Sequence, residues 1–541
     1  MDSAQDDLKR PENRAEEIQA LQALVAELSA EQAKSLRLTL SQAANLQSSS
    51  VTRENCRAAV FVLYTGGTIG MVPRDPGNPA SPLVPGDKDQ IQRYVPGLGE
   101  KHRIFWHIEG LPDEEPLDSS DVNSKHWIKM AQVIQREYGR WDGFVILHGT
   151  DTMAYTASAL SFTFRNLAKP VVITGSQLPI FDERTDGRLN LSNAIQIAGY
   201  KATGLPWIPE VVLCFGNTLL RGNRTRKEST SDLSGFVSPN CAPLGALGEY
   251  ISINASLLRP VPDEKRFPFS IETRLGRGVM DISLFPGLDA GALGALLESP
   301  EIKGVIMRTF GAGNAMNDPG IHDVLKKAIA AGKPILNITQ CPRGMVEMGL
   351  YAASSALLEM GVISGLDMTP EAALTKMLWL LGTEQDDDDL TEAQLQLQIN
   401  QRGEQSESLF DVRYGPKGSS EKSEFIYTKA VQPSGQYVKE RLKRAVLRIS
   451  GLNFERGADT PYDLCVFVSY PEADVSSGPA DARCAIQFTG VHKPGETLIA
   501  EVTRAIDQFT EPGRRINLTV VSRTQARFWY NGLYLALFAS E

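Results

Sequence analysis

Three short stretches of this chain hold the residue types that activated-nucleophile chemistry needs. They are Thr65-Gly66-Gly67-Thr68-Ile69-Gly70, His148-Gly149-Thr150-Asp151-Thr152, and Arg221-Gly222-Asn223-Arg224-Thr225-Arg226-Lys227. Together they supply threonine hydroxyls, a carboxylate and an amine. A threonine hydroxyl attacks poorly until a base or a charged network takes up its proton. A lysine helps if burial or a cationic neighbour lowers its pKa, while a nearby carboxylate acts the other way. Glycines beside a hydroxyl let backbone N–H groups approach a developing oxyanion. Each stretch also has a plainer reading: glycines that turn the chain, Asp151 as a helix cap, Lys227 as a solvated charge. The Gly-Gly turn is not a phosphate loop, because Gly-x-x-x-x-Gly-Lys-Ser/Thr is absent.

Strands must position these residues. AVFVLY (59–64), FVILH (144–148), VVITG (171–175) and VVLCFG (211–216) are short apolar runs, with helical patterns at 124–138, 152–167 and 189–201 between them. Such alternation predicts an α/β domain over 56–257, with a parallel sheet covered on both faces. Ligands bind outside the carboxyl ends of such strands, which is where the three stretches fall. A smaller α/β domain is expected over 275–406, from strands near 305–308 and 334–338 and a helix over 318–331. The stretch 258–278 reads as a linker, as does 403–424. Residues 425–541 read as an all-β, sandwich-like domain of six or seven short strands. Its Asn531-Gly532 suits a two-residue hairpin turn between ARFWY and LYLAL. Trp529 and Tyr530 must point to opposite faces of their strand. Residues 1–50 are expected to form a helical extension, with Ile18, Leu21, Val25 and Leu28 on one face, and Asp386 to Asp389 to cap a helix.

The 541 residues are long enough for two to four domains without disulfide or metal staples. With 55 Lys+Arg against 65 Asp+Glu, the net charge of -10 argues against a nucleic-acid or anionic-membrane surface. No apolar run approaches the roughly 18–20 residues that cross a bilayer, and the amino terminus has no secretory h-region. The six cysteines form no Cys-x-x-Cys pair, and the six histidines show no zinc spacing. The expected compartment is reducing and cytoplasmic.

YTGGTIGM (64–71), DGFVILHGTDTMAYTASALSF (142–162), RGNRTRK (221–227) and SPN (238–240) resemble the bacterial cytoplasmic, type I L-asparaginases. The likeness covers roughly 56–406 and includes PLDSSD (116–121), TGSQLP (174–179), FGAGN (310–314) and NITQC (337–341). It implies hydrolysis of the side-chain amide of L-asparagine to L-aspartate and ammonia, with no metal and no cofactor, and glutaminase activity as a side reaction. Thr68 matches the family's nucleophile, which forms an acyl-enzyme ester. Thr150, Asp151 and Lys227 match its second catalytic group. Asp118, Ser119 and Asp151 match positions that hold the substrate's α-amino and α-carboxylate groups. Gly67 with the Thr150 backbone corresponds to the oxyanion site, beside Gly149 on the substrate-binding wall. Asn314 matches a residue donated by a neighbouring subunit, so the resemblance implies a homodimer or homotetramer.

Two features depart from the family pattern. Asparaginases often carry a tyrosine in the lid about ten residues after the nucleophile, but 72–86 (VPRDPGNPASPLVPG) has none. Asn78 and Ser81 are the candidate substitutes. Arg308 and Cys341 fall on two positions of the family's separate regulatory site, whereas a third, normally threonine, is Arg226. For Cys341 the plain expectation is a buried small apolar side chain. The alternative function is the ammonia-generating subunit of a tRNA-dependent amidotransferase, which shares this core. The acidic balance and a β-domain at the carboxyl rather than amino end argue against it.

Overall fold

The computed structural model describes residues 51–75, 78, 81–348, 352–383, 395–415, 418–419, 427–429, 442–455, 459, 461–470, 472–473, 476–509, 516, 518–524 and 527–540. The expected helices of 1–50 and the acidic run at 386–389 lie outside these residues.

The first body is built on an eight-stranded sheet. Its strands are β1 (Ala58–Tyr64), β2 (Ile104–Gly110), β3 (Gly143–Leu147), β4 (Val171–Thr174), β5 (Val211–Phe215), β6 (Thr218–Arg221), β7 (Gly245–Leu247) and β8 (Ile251–Ile253). They lie in the order β8-β7-β6-β5-β4-β3-β1-β2. Five strands, β2, β1, β3, β4 and β5, are parallel; β6, β7 and β8 extend one edge antiparallel, so the sheet is mixed rather than wholly parallel. In β1 every residue is buried, with Ala59, Phe61 and Leu63 entering one core and Ala58, Val60, Val62 and Tyr64 the other. Helices α1 (Ser124–Glu137) and α2 (Met153–Thr163) cover the first face, and α3 (Gly187–Ala198) the second. A continuous apolar run thus becomes a strand buried on both sides.

The expected order after β5 is corrected. RGNRTRK does not follow β5 directly: the hairpin strand β6 first returns the chain, with Arg221 opposite Val212.

The smaller sheet is parallel and holds β9 (Val279–Ser283), β10 (Gly304–Thr309), β11 (Ile335–Thr339) and β12 (Ile363–Ser364) in sequence order. Helices α4 (Ala290–Leu297), α5 (Pro319–Ala330), α6 (Ala352–Met360) and α7 (Pro370–Thr383) accompany it. Trp379 of α7 stacks on Phe162 of α2, with ring centroids 6.0 Å apart, and joins the two bodies.

The C-terminal body has two sheets around one core, as the spacing of short strands predicts. One contains β13 (Glu407–Gly415), β14 (Leu442–Phe454), β17 (Glu496–Glu501), β19 (Phe528–Tyr530) and β20 (Gly532–Ser540). The other contains β15 (Pro461–Val468), β16 (Cys484–Val491) and β18 (Leu518–Ser522), and a seven-residue helix, α8 (Thr503–Phe509), adds to the expected strands. Two expectations fail here. The stretch 403–424 is not simply a linker, because β13 pairs antiparallel with β20. Nor does Asn531-Gly532 close a hairpin. The 13-residue β14 runs past both segments and pairs Ser450 with Gly532 and Asn453 with Trp529 in one register. Gly451 makes this possible: its φ is +65°, and a Cβ there would lie 2.3 Å from Asn531 Nδ2. The aromatic alternation holds, with Trp529 exposed and Tyr530 buried.

Candidate active site

The carboxyl ends of β1, β2, β3 and β4 align, since Tyr64 pairs with both Gly110 and Leu147, and Leu147 with Thr174. The segments that leave them therefore meet. Thr65 N–H and Oγ1–H both donate to Leu147 O, at 3.0 and 2.9 Å, which ties the first turn to β3. Gly66 and Gly67 have φ of +119° and +86°, the left-handed side that favours glycine. A Cβ on Gly67 would lie 2.3 Å from Gly149 N, so these two glycines are where the two turns touch.

Thr68, half-buried, opens a short 3-10 turn, Thr68–Gly70. The expected oxyanion donor is corrected at this point. Gly67 N–H is already bonded to Leu117 O at 3.0 Å, because the turn bridges to the 116–121 stretch. Among the described residues the N–H groups of Thr68 and Thr150 have no such partner.

Asp118 and Ser119 begin the next turn. Asp118 Oδ1 accepts from Ser120 N–H at 2.9 Å, and the buried Ser119 accepts from Asp151 N–H at its Oγ, 3.3 Å. Ser119 O takes the Thr152 hydroxyl at 2.6 Å. Lys227 Nζ donates to Thr150 Oγ1 at 2.8 Å and to Asp151 Oδ1 at 2.7 Å. Thr150 is buried, Lys227 nearly so, and the Asp151 side chain is 65% exposed. Lys227 reaches this point because Arg226–Lys227 pairs with Phe236–Val237, and the Phe236 ring packs edge-on to Phe215 at 4.9 Å. The structure thus brings Thr68, Thr150, Asp151, Lys227, Ser119, Gly67 and Gly149 into one linked cluster, with Asp118 at its margin.

His148 borders this cluster, and its contacts were not read from sequence. It is fully buried, with Nδ1 2.7 Å from Gly149 O and Nε2 2.9 Å from Thr156 Oγ1; Trp127 Nε1–H donates to the same hydroxyl at 3.0 Å. A carbonyl only accepts, so Nδ1 carries the hydrogen and Nε2 accepts from Thr156. Burial pushes the imidazole down to about 4, against the Gly149 carbonyl. A neutral ring therefore clamps the turn before Thr150. The motif shows the histidine, but Trp127 and Thr156 come from two other elements.

Other expected residues lie apart from this cluster. Asn314 closes a turn after β10, with its N–H on Phe310 O at 2.8 Å, and no hydrogen bond links it to Thr68 or Thr150 among the described residues. Arg308 is held by Asp281, with Nε at 2.8 Å from Oδ1. Cys341 is exposed, which corrects the expected buried thiol; it follows the end of β11, outside the small-domain core. In the segment expected to form a lid, Met71–Pro73 pairs with Leu83–Pro85, Ser81 Oγ accepts from Asp75 N–H at 2.8 Å, and buried Tyr64 donates to Gly86 O at the base of this pair of strands at 3.1 Å. Burial, then Asp87, pushes the Tyr64 phenol well up.

Residues 59–259 match the family described as Asparaginase, N-terminal, and 279–393 match the Glutaminase/Asparaginase C-terminal domain. L-asparaginase 1 of Escherichia coli K12 is 40% identical over 349 residues, covering 64% of this chain and 98% of that protein. This chain belongs to the asparaginase family. Its structure is similar to L-asparaginase I from Vibrio cholerae, with a TM-score of 0.57 and 38% identity over 65% of this chain and all of that one. A component of the glutamyl-tRNA(Gln) amidotransferase from Saccharolobus islandicus is more distant, 30% identical over 64% of this chain and 76% of its own length. No helix among the described residues is long and apolar enough to cross a membrane.

Proposed function

We propose that this asparaginase-family chain hydrolyses the side-chain amide of L-asparagine to L-aspartate and ammonia through an ester on Thr68. The observation that carries the reading is Lys227 Nζ held between Thr150 Oγ1, at 2.8 Å, and Asp151 Oδ1, at 2.7 Å, beside the Thr68 turn. Asp118 and Asp151 receive the α-ammonium group, and the Ser119 hydroxyl the α-carboxylate. Thr68 Oγ attacks the amide carbon while the N–H groups of Thr68 and Thr150 stabilise the oxyanion. The Thr68 proton passes to the amide nitrogen, the C–N bond breaks and ammonia leaves. Water then adds to the ester carbon, with Thr150 and Lys227 moving its proton, and aspartate is released. Closure of the 71–85 hairpin over the substrate excludes bulk water.

The working unit is a homodimer or homotetramer in which Asn314 of a neighbouring copy completes the substrate wall. Free cysteines fit a reducing, cytoplasmic setting. The amidotransferase reading is disfavoured by the net charge of -10 and by the lower identity to the amidotransferase component.

The test is ammonia and aspartate release from L-asparagine by the parent and by Thr68→Val. Turnover by the parent, and a loss of about three or more orders of magnitude in the variant, is the expected result. A well-folded parent with no turnover, or a variant as active as its parent, would sink the assignment.

A further inference from the structure

The segment that carries Lys227 leaves the sheet at Arg221 and takes further fixed points outside it. Three of the four residues 221–224 are gripped by a strap, 400–406. Gly403 has φ of +84°, and a Cβ there would lie 2.9 Å from Arg221 Nη1, so the strap's backbone rests on that guanidinium. Asn223, fully buried, donates from Nδ2 to Arg402 O at 3.0 Å. Arg224 Nη1 donates to Glu404 O at 2.7 Å. The strap is itself pinned: wholly buried Glu404 accepts from Gln401 N–H at 3.0 Å and Arg402 N–H at 2.6 Å, and pairs at 2.6 Å with the equally buried Lys376 of α7.

Asp367, in the small domain just before α7, joins the two. Its Oδ1 and Oδ2 receive Arg224 Nη1 and Nη2 at 3.1 and 2.7 Å, a forked pair buried on both sides. The same Oδ1 takes Ser406 N–H at 2.9 Å. Burial opposes ionisation, but Arg224 and Ser406 hold the Asp367 carboxyl below its ordinary value. A forked guanidinium–carboxylate pair fixes orientation as well as distance. From Arg224 the chain has two more internal ties, Thr225 Oγ1–H to Arg221 O at 2.7 Å and Thr225 N–H to Gly222 O at 3.4 Å, before the extended Arg226–Lys227.

We propose that Asp367 is a positioning residue for Lys227. Through Arg224 it sets the direction in which the chain leaves the Arg221–Arg224 turn, and so where the amine meets Thr150 and Asp151. The proposal rests on the hydrolase reading above and adds to it a dependence of the amine on the small domain and the strap.

The test is a double-mutant cycle on the full chain, with Asp367→Asn made in the parent and in Lys227→Met and asparagine turnover measured over a substrate series. In the parent, Asp367→Asn is expected to lower kcat by about 10- to 100-fold, with KM within about twofold. In Lys227→Met, whose residual rate is read at high enzyme concentration, the same change is expected to cost less than about threefold. A residue that only stabilises the fold would cost the same factor in both backgrounds. Equal factors, an unchanged kcat, or a rise in KM alone would overturn the proposal. If Asp367→Asn fails to fold, Arg224→Lys, which keeps the charge but loses the fork to Asp367, is judged by the same criteria. A folded parent without turnover overturns the hydrolase reading and this proposal together. A parent with turnover keeps that reading and lets the proposal fail alone.

Discussion

His148 illustrates how one buried group holds the turn before Thr150 from beneath. Its ring is enclosed between the Gly149 carbonyl and the Thr156 hydroxyl, and it stays neutral to about pH 4. The unfolded chain exposes an ordinary imidazole, so between pH 6.5 and 4 it takes up a proton that the folded chain cannot. The His148 contribution to stability is therefore complete above about pH 6.5 and falls as pH drops toward 4, by about 3 kcal/mol. Urea midpoints at pH 7.5 and 4.5 should drop less in His148→Gln than in the parent. Equal drops would show that His148 carries no such linkage.

The turns after the parallel strands decide how closely the catalytic groups can approach. Gly67 and Gly149 meet backbone to backbone, and a methyl group on Gly67 would lie 2.3 Å from Gly149 N. Gly67→Ala is expected to lower turnover by about 100-fold or more, because the two turns must part. Gly204 also has positive φ, +75°, but faces open space. Gly204→Ala should cost only about 1 kcal/mol of stability and leave turnover intact. Similar turnover in the two variants would contradict the contact. These turns were legible in the sequence because glycine, threonine and strand ends sit together in it. Other parts were not. Gly67 N–H is occupied by Leu117 O, a backbone bond that no side-chain pattern encodes. The Asn531-Gly532 signal is real locally, but β14 offers both flanking segments a longer ladder than they could make with each other. The strap was missed for a related reason: it grips Asn223 and Arg224 largely through its own carbonyl groups, about 180 residues away in sequence.

Across the whole molecule, the strap runs straight into the C-terminal body: Ser406 bonds Asp367, and Glu407 begins β13. β13 has a short ladder with Tyr427–Lys429, which follows it closely, but its long ladder is with β20, more than a hundred residues further along the chain. That arrangement has a consequence for the order of synthesis. A ribosome adding about 5–20 residues per second will have emitted the asparaginase bodies and the strap roughly ten seconds before β20 exists. During that interval the nascent chain holds a folded sheet whose amine-bearing turn is fastened to a strap, and β13 beyond it has only the three-residue ladder with Tyr427–Lys429. Stalled nascent chains that display only residues 1–450 should be cut by protease within 400–415, whereas the released full-length protein should resist cleavage there. Resistance in the stalled chain would mean that the strap seats without β20. Cleavage in the stalled chain alone would make completion of the C-terminal body a late checkpoint for the turn that presents Lys227.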